Sequence, residues 1–195
     1  MSGHFLCASD IISVYHEVRP GLITMNAKEW LLPQALVAQL VKQAVTIQGL
    51  SYSPYSNKSI GSAVFGLDKS GRAVMAAGTN VEFVSYGLTL CAESVALANA
   101  VTQGTRELIA VVCVGHSEKI QTVCGACRQR LAEFIVGAPA WLIATAKGGG
   151  PVQVFRIDQC WSDLIPYQMH SSNISRESNV IQALKGYYDE QADRV

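Results

Sequence analysis

Neither sign of charge is in excess in this sequence: Lys and Arg number 15 together, and so do Asp and Glu. Affinity for a phosphate backbone rests on Lys and Arg contacts, usually arranged as a basic excess or stripe. The balance therefore argues against a nucleic-acid partner. No apolar run approaches the ~20 residues that span a bilayer, which argues against a membrane protein. Met1 to Asp10 lack a basic segment followed by a long apolar one, so no secretory leader is expected and a cytoplasmic location is. The 6 cysteines lack the spacing of a small disulfide scaffold. There are no internal repeats, which excludes a solenoid. Only 15% of residues are charged and 49% are hydrophobic, so the 195-residue chain is expected to bury one sizeable core rather than stay disordered.

Elements are legible along much of the chain. Residues 1–33 are mixed in character, punctuated by Pro20, Gly21 and Pro33. Pro33 sits where a helix would start. From Gln34 to Gln48, Leu36, Val37, Leu40, Val41, Ala44, Val45 and Ile47 recur at helical spacing, and Gly49 ends the run. Ser51 to Asn57 is turn-rich. Ile60–Leu67 and Ala73–Ala77 read as a hairpin around Asp68-Lys69-Ser70-Gly71. Glu93–Val101 and Gly125–Ile135 read as helices. Leu108–Val114 is an apolar run that suits a strand buried on both faces. Ala140–Ala144 and Val152–Ile157 read as strands separated by Gly148 to Gly150. The tail from Ser171 is polar, with a short helix near Val180–Tyr188. Alternating strands and helices predict one α/β domain with a mixed sheet of about five strands.

Two short segments carry the chemistry. Cys91-Ala92-Glu93 is followed, after thirty residues, by Cys124-Gly125-Ala126-Cys127. Each lies at the start of a predicted helix, where partial positive charge favours the thiolate form that binds metal. Three thiolates suit Zn²⁺, one per chain, with a fourth position open, which is the arrangement of a catalytic rather than a structural site. Such an ion lowers the pKa of water towards ~7. Glu93, two positions after Cys91, would reach the open position without ligating the ion and serve as general acid and base. A lone Cys-x-x-Cys also fits a redox pair or half of a structural zinc knuckle. A Cys₄ site would need Cys7, Cys113 or Cys160; Cys113 reads as a small core residue, and the other two have no motif around them. Three cysteines with a non-ligand glutamate match the zinc-dependent nucleobase deaminases.

Four segments in order resemble the small, homotetrameric kind of zinc-dependent cytidine deaminase. They are Tyr52-Ser53-Pro54-Tyr55-Ser56 with Gly61, Asn80-Val81-Glu82, Cys91-Ala92-Glu93, and Cys124 to Gln129. The similarity covers roughly Gln34 to Tyr167. It divides the chain into an N-terminal extension (1–33), a catalytic domain (34–170) and a polar tail (171–195). The resemblance implies the three-layer fold of that family and hydrolytic removal of the 4-amino group of cytidine or 2′-deoxycytidine, in pyrimidine salvage. It implies that Glu93 is catalytic and that Cys91, Cys124 and Cys127 hold zinc. Asn80, Glu82, Ala92 and Tyr55 would contact the nucleoside, Asn80 and Glu82 by clamping the sugar hydroxyls. Active sites would be completed by neighbouring subunits of a homotetramer.

The chain departs from the family pattern at several points. Val123 replaces a proline, and Lys58 stands where an aromatic residue commonly stacks on the base. Ser94 replaces an arginine that softens the charge of the three thiolates, a task Arg128 is expected to share. His116 occupies an often acidic position. Asp163 to Tyr167 resembles the family's Leu-Pro ending without its phenylalanine. Lys58 and Ser94 motivate a second reading, a deaminase of a modified cytosine nucleoside such as a nucleoside antibiotic. A polynucleotide-editing deaminase is disfavoured by the charge balance, and a silent scaffold by the intact Glu93.

Overall fold

The computed structural model describes residues 32–135, 140–150 and 152–157. Most of the extension, the tail with its expected helix, and Asp163 to Tyr167 lie outside the described residues. The elements run α1 (Gln34–Gln48), β1 (Gly61–Asp68), β2 (Ala73–Thr79), α2 (Ala92–Thr102), β3 (Thr105–Val114), α3 (Gly125–Ala132), β4 (Trp141–Thr145) and β5 (Val152–Arg156). The five strands form one mixed sheet in the order β2-β1-β3-β4-β5. Only β3 and β4 are parallel neighbours; the other three pairings are antiparallel.

Strand alternation sorts the core into two layers. Ala63, Phe65 and Leu67 of β1 and Val112 and Val114 of β3 face Leu36, Val37, Leu40 and Ala44 of α1. Val64 of β1 and Val111 and Cys113 of β3 face Ala96, Leu97 and Ala100 of α2 and Cys127 and Leu131 of α3. The result is α1 on one face of the sheet, with α2 and α3 on the other. Chain direction explains the division. Strands β2 and β3 both run antiparallel to β1, so they are parallel to each other, as are β3 and β4. Helices α2 and α3 are thus successive crossovers between parallel strands, moving the same way across the sheet. The common handedness of such crossovers sends both to one face.

Most boundaries agree with the sequence reading, and the differences have local causes. Pro33 is the N-cap of α1, and its carbonyl accepts from the Val37 amide at 3.0 Å. Gly49 closes α1 in a right-handed conformation (φ −64°), not the left-handed one a glycine cap suggests. Strand β3 starts at Thr105 because Leu67 and Asp68 of β1 keep pairing with Glu107 and Thr105 across a bulge. Helix α3 stops at Ala132; the Phe134 carbonyl is taken by the Leu108 amide of β3 at 2.8 Å. In the hairpin turn, Asp68 accepts from the Ser70 hydroxyl and from the Ser70 and Arg72 amides. These bonds hold its carboxyl down at about 2.

Two glycines set how closely the layers approach. A Cβ on Gly61 would lie 2.0 Å from the Ala44 carbonyl oxygen of α1. A Cβ on Gly78 would lie 2.3 Å from the Ala96 amide nitrogen and 2.9 Å from the Ala92 carbonyl oxygen, both in α2. The obstacle at each is backbone, which cannot rotate away. Gly78→Ala is therefore expected to push α2 off the sheet and lower stability by roughly 1–3 kcal/mol in urea unfolding. Gly87→Ala, where nothing lies within 4 Å, should stay within about 0.5 kcal/mol.

Candidate functional site

Parallel strands end on the same edge of a sheet, and ligand sites of α/β proteins lie outside those ends. Here β2 delivers Asn80 and Glu82 to that edge. After a short 3₁₀ turn (Tyr86–Leu88) the chain re-enters as α2. Strand β3 leads through a loop to α3 on the same side. Cys91 is the N-cap of α2 and Cys124 the N-cap of α3, and neither side chain makes a capping hydrogen bond. Cys127 is one turn further along α3.

The three sulfurs lie within 4.8 Å of one another, with Cys91 and Cys124 Sγ 3.6 Å apart. Thiolates ~2.3 Å from a tetrahedral zinc stand about 3.8 Å apart, so this donor set fits one Zn²⁺. Cys127 is buried, Cys91 half-buried and Cys124 exposed, so the cluster opens to solvent on one side. Glu93, buried at the start of α2, accepts from Cys127 Sγ at 3.4 Å through Oε2. The Ser94 hydroxyl lies 3.4 Å from the same sulfur.

The electrostatics differ from a simple helix-dipole picture. A hydrogen bond with Cys91, burial and the Glu93 carboxylate push the Cys127 thiol far above its ordinary value, while Ser94 pulls it down. The charge that would hold Cys127 as a thiolate is that of a bound cation. Cys113, beneath the cluster on β3, is driven up by burial and then by Glu93, so it stays a neutral core thiol.

Asn80 and Glu82 are buried and fully built into the loop walls. Asn80 Oδ1 accepts from the Ser51 hydroxyl at 2.7 Å and the Ile60 amide at 2.8 Å, and Nδ2 donates to the Lys58 carbonyl at 2.9 Å. Glu82 accepts from the Tyr55 and Ser56 amides at 3.0 and 3.1 Å and from the Ser56 hydroxyl. The Ser56 hydroxyl, with these amides and the nearby Lys58 cation, holds the Glu82 carboxyl below its ordinary range. Glu82 is therefore a carboxylate at neutral pH. Tyr55 is exposed and meets Tyr86 edge-on at 6.0 Å. Ala92 is buried in the first turn of α2.

Some partners escaped the sequence reading. Ser51 reads as a turn residue and Ser56 as part of a segment that carries the resemblance, neither with a bonding role, yet they anchor Asn80 and Glu82. Arg128 braces the loop before α3, donating to the Val123 carbonyl at 3.0 Å and the Thr122 hydroxyl at 3.4 Å. It is Arg130 that reaches α2, donating to Ser94 Oγ at 2.9 Å. Its spacing from Cys127, three residues on a helix, was the available signal. His116 Nδ1 lies 2.8 Å from Gln121 Oε1, within the same loop.

Comparison with known proteins agrees with this geometry. The sequence model of the "Cytidine and deoxycytidylate deaminase zinc-binding region" matches residues 36–142. A cytidine deaminase of Halalkalibacterium halodurans is 40% identical over 95 residues, 49% of this chain and 69% of that protein. One from Sporosarcina psychrophila is 33% identical over 112 residues, 57% of this chain and 79% of that protein. The crystal structure of cytidine deaminase from Burkholderia pseudomallei superposes with a TM-score of 0.56 at 31% identity, covering 67% of this chain and 97% of that one.

Because Cys127 must lose its proton to bind metal, zinc uptake should release protons and weaken as the pH falls. An indicator dye mixed with metal-free protein and zinc in weak buffer measures the release. Replacing Cys91, Cys124 or Cys127 by Ser should abolish stoichiometric zinc, whereas Cys113→Ala should retain it.

Proposed function

The chain belongs to the cytidine and deoxycytidylate deaminase family, and from that premise we propose that it hydrolyses cytidine or 2′-deoxycytidine to the uracil nucleoside and ammonia. The observation that carries this reading is the cluster of three sulfurs with the buried Glu93 carboxylate against it. Cys91, Cys124 and Cys127 would hold the zinc. When bound, the ion supplies Lewis acidity towards water at neutral pH. Glu93 takes one proton from the attacking water and delivers it to the ring nitrogen, then passes the second, from the newly added hydroxyl, to the amine, which departs as ammonia while the carbonyl forms. Its burial keeps the carboxylate short of competing water and aimed at one place.

The remaining roles follow from donor and acceptor chemistry. Glu82 accepts from the sugar hydroxyls as a carboxylate already charged at neutral pH. Asn80 Nδ2 carries two N–H groups, one of them bonded to Lys58. The other is the donor assigned to the sugar. The Ala92 backbone, in the first turn of α2, faces the base, and Tyr55 lines the pocket's mouth. Residues 34–170 constitute the catalytic domain, with 1–33 and 171–195 as additions to it.

The homotetramer is supported by an apolar surface beside the site. Val84, Tyr86 and Leu88 are 81%, 62% and 64% exposed, and Tyr52, Phe83 and Leu90 extend the patch. A cluster of this kind marks an interaction surface. The cytoplasm suits the enzyme because three metal-binding thiols need a reducing compartment, and pyrimidine salvage is the process this reaction serves.

Loss of cytidine absorbance at neutral pH tests the reaction. Glu93→Gln should keep one zinc per chain and lose about 10²–10⁴-fold in kcat. Deamination at the wild-type rate by that variant would overturn the assignment. Glu82→Gln should raise KM ~10-fold with a smaller effect on kcat, the value of a hydrogen bond to a charged group.

A further inference from the structure

Three thiolates around a zinc ion leave one net negative charge, and Glu93 adds a second beside it. A site so charged holds its water proton more tightly and its sulfurs more reactive than a neutral one. Something in the chain must offset that charge, and the first turn of α2 offers only a hydroxyl, Ser94.

The offset is reached through two hydrogen bonds. Arg130 lies three residues beyond Cys127, on the same face of α3. Its Nη1 donates to Ser94 Oγ at 2.9 Å. Ser94 Oγ lies 3.4 Å from Cys127 Sγ. A guanidinium has no acceptor, so Ser94 must receive the arginine bond on a lone pair. That leaves the hydroxyl proton for the sulfur, and a thiolate sulfur can only accept. The direction of the chain, from Arg130 to Ser94 to Cys127, is therefore fixed by chemistry. Ser94 is in α2 and Cys127 in α3, so the same two bonds also tie together the helices that carry the ligands.

We infer that Arg130 is a positioning residue for the zinc centre, delivering positive charge to the Cys127 thiolate through the Ser94 hydroxyl. It contacts neither substrate nor metal. Its task is to ease the repulsion among three like-charged sulfurs and Glu93, and so slow release of the ion. The inference rests on the zinc centre of the proposed function.

The test compares zinc release from the loaded full-length protein to an excess of a chromogenic chelator. Arg130→Gln should release zinc ~10-fold faster, the lower end for loss of a ligand's hydrogen-bond partner. The difference should shrink at high salt because Arg130 is exposed. Arg130→Lys should recover much of the wild-type rate. In a Ser94→Ala background, Arg130→Gln should add nothing further, since the relay is already cut. With Co²⁺ in place of zinc, the sulfur-to-metal charge-transfer band should move to longer wavelength in Arg130→Gln, a change that loosened packing alone would not produce. Wild-type release by Arg130→Gln, or effects of the two substitutions that simply add, would overturn the inference. Failure of the wild-type protein to hold zinc would instead overturn the reading of the centre itself.

Discussion

The parallel relation of β2 and β3, imposed by their shared partner β1, is the constraint on which the site depends. Both strands run antiparallel to β1 and therefore end on the same edge of the sheet. Both then feed helices on the same face, so two helix N-termini meet beyond that edge. Cys91 and Cys124 occupy the N-cap positions of those helices. Their sulfurs come within 3.6 Å because chain direction brought them there. Gly78 completes the arrangement by letting the first turns of α2 rest on the backbone of β2. A side chain there would move both Cys91 and Glu93 away from α3.

The loops at this edge are held by polar groups with almost no exposure. Asn80 acts as a three-way junction, bonded to Ser51, Lys58 and Ile60. Glu82 gathers the backbone of Tyr55 and Ser56 around its carboxylate. Gln48, at the end of α1, donates to the carbonyls of Ser59 and Gly115 at 2.8 Å and so joins the entrance of β1 to the exit of β3. Buried polar groups are costly unless partnered, and partnered ones fix a single geometry. These loops are therefore held in one geometry, while the apolar residues of the adjoining turn remain on the surface.

Charge is the second theme. A chain with no net charge brings three sulfurs and the Glu93 carboxylate together at one point, from two segments thirty-three residues apart. The cations near them act at a distance. Lys58 helps hold Glu82 ionised, Arg128 braces the loop before α3, and Arg130 works through Ser94. Proximity in sequence pointed to Arg128, but the helix turn brings Arg130 over the neighbouring helix.

The sequence by itself determined the α/β class, nearly every element, and the ligand set. Helical periodicity in α1, the apolar run of β3 and the Cys-Ala-Glu and Cys-x-x-Cys segments are local patterns, and local patterns survive without knowledge of the fold. It also marked Asn80 and Glu82, through a resemblance rather than through any property of the residues. Only the tertiary structure decided what those side chains touch. The side-chain partners of Asn80 and Glu82 lie twenty or more residues away in the chain, and Ser94 and Arg130 are thirty-six apart. Contacts at such separations are set by strand order and crossover direction, which no window of sequence contains. The same holds for the Cys127 thiol: a helix terminus argues for a low pKa, and the Cys91 sulfur, burial and the Glu93 carboxylate push it up instead.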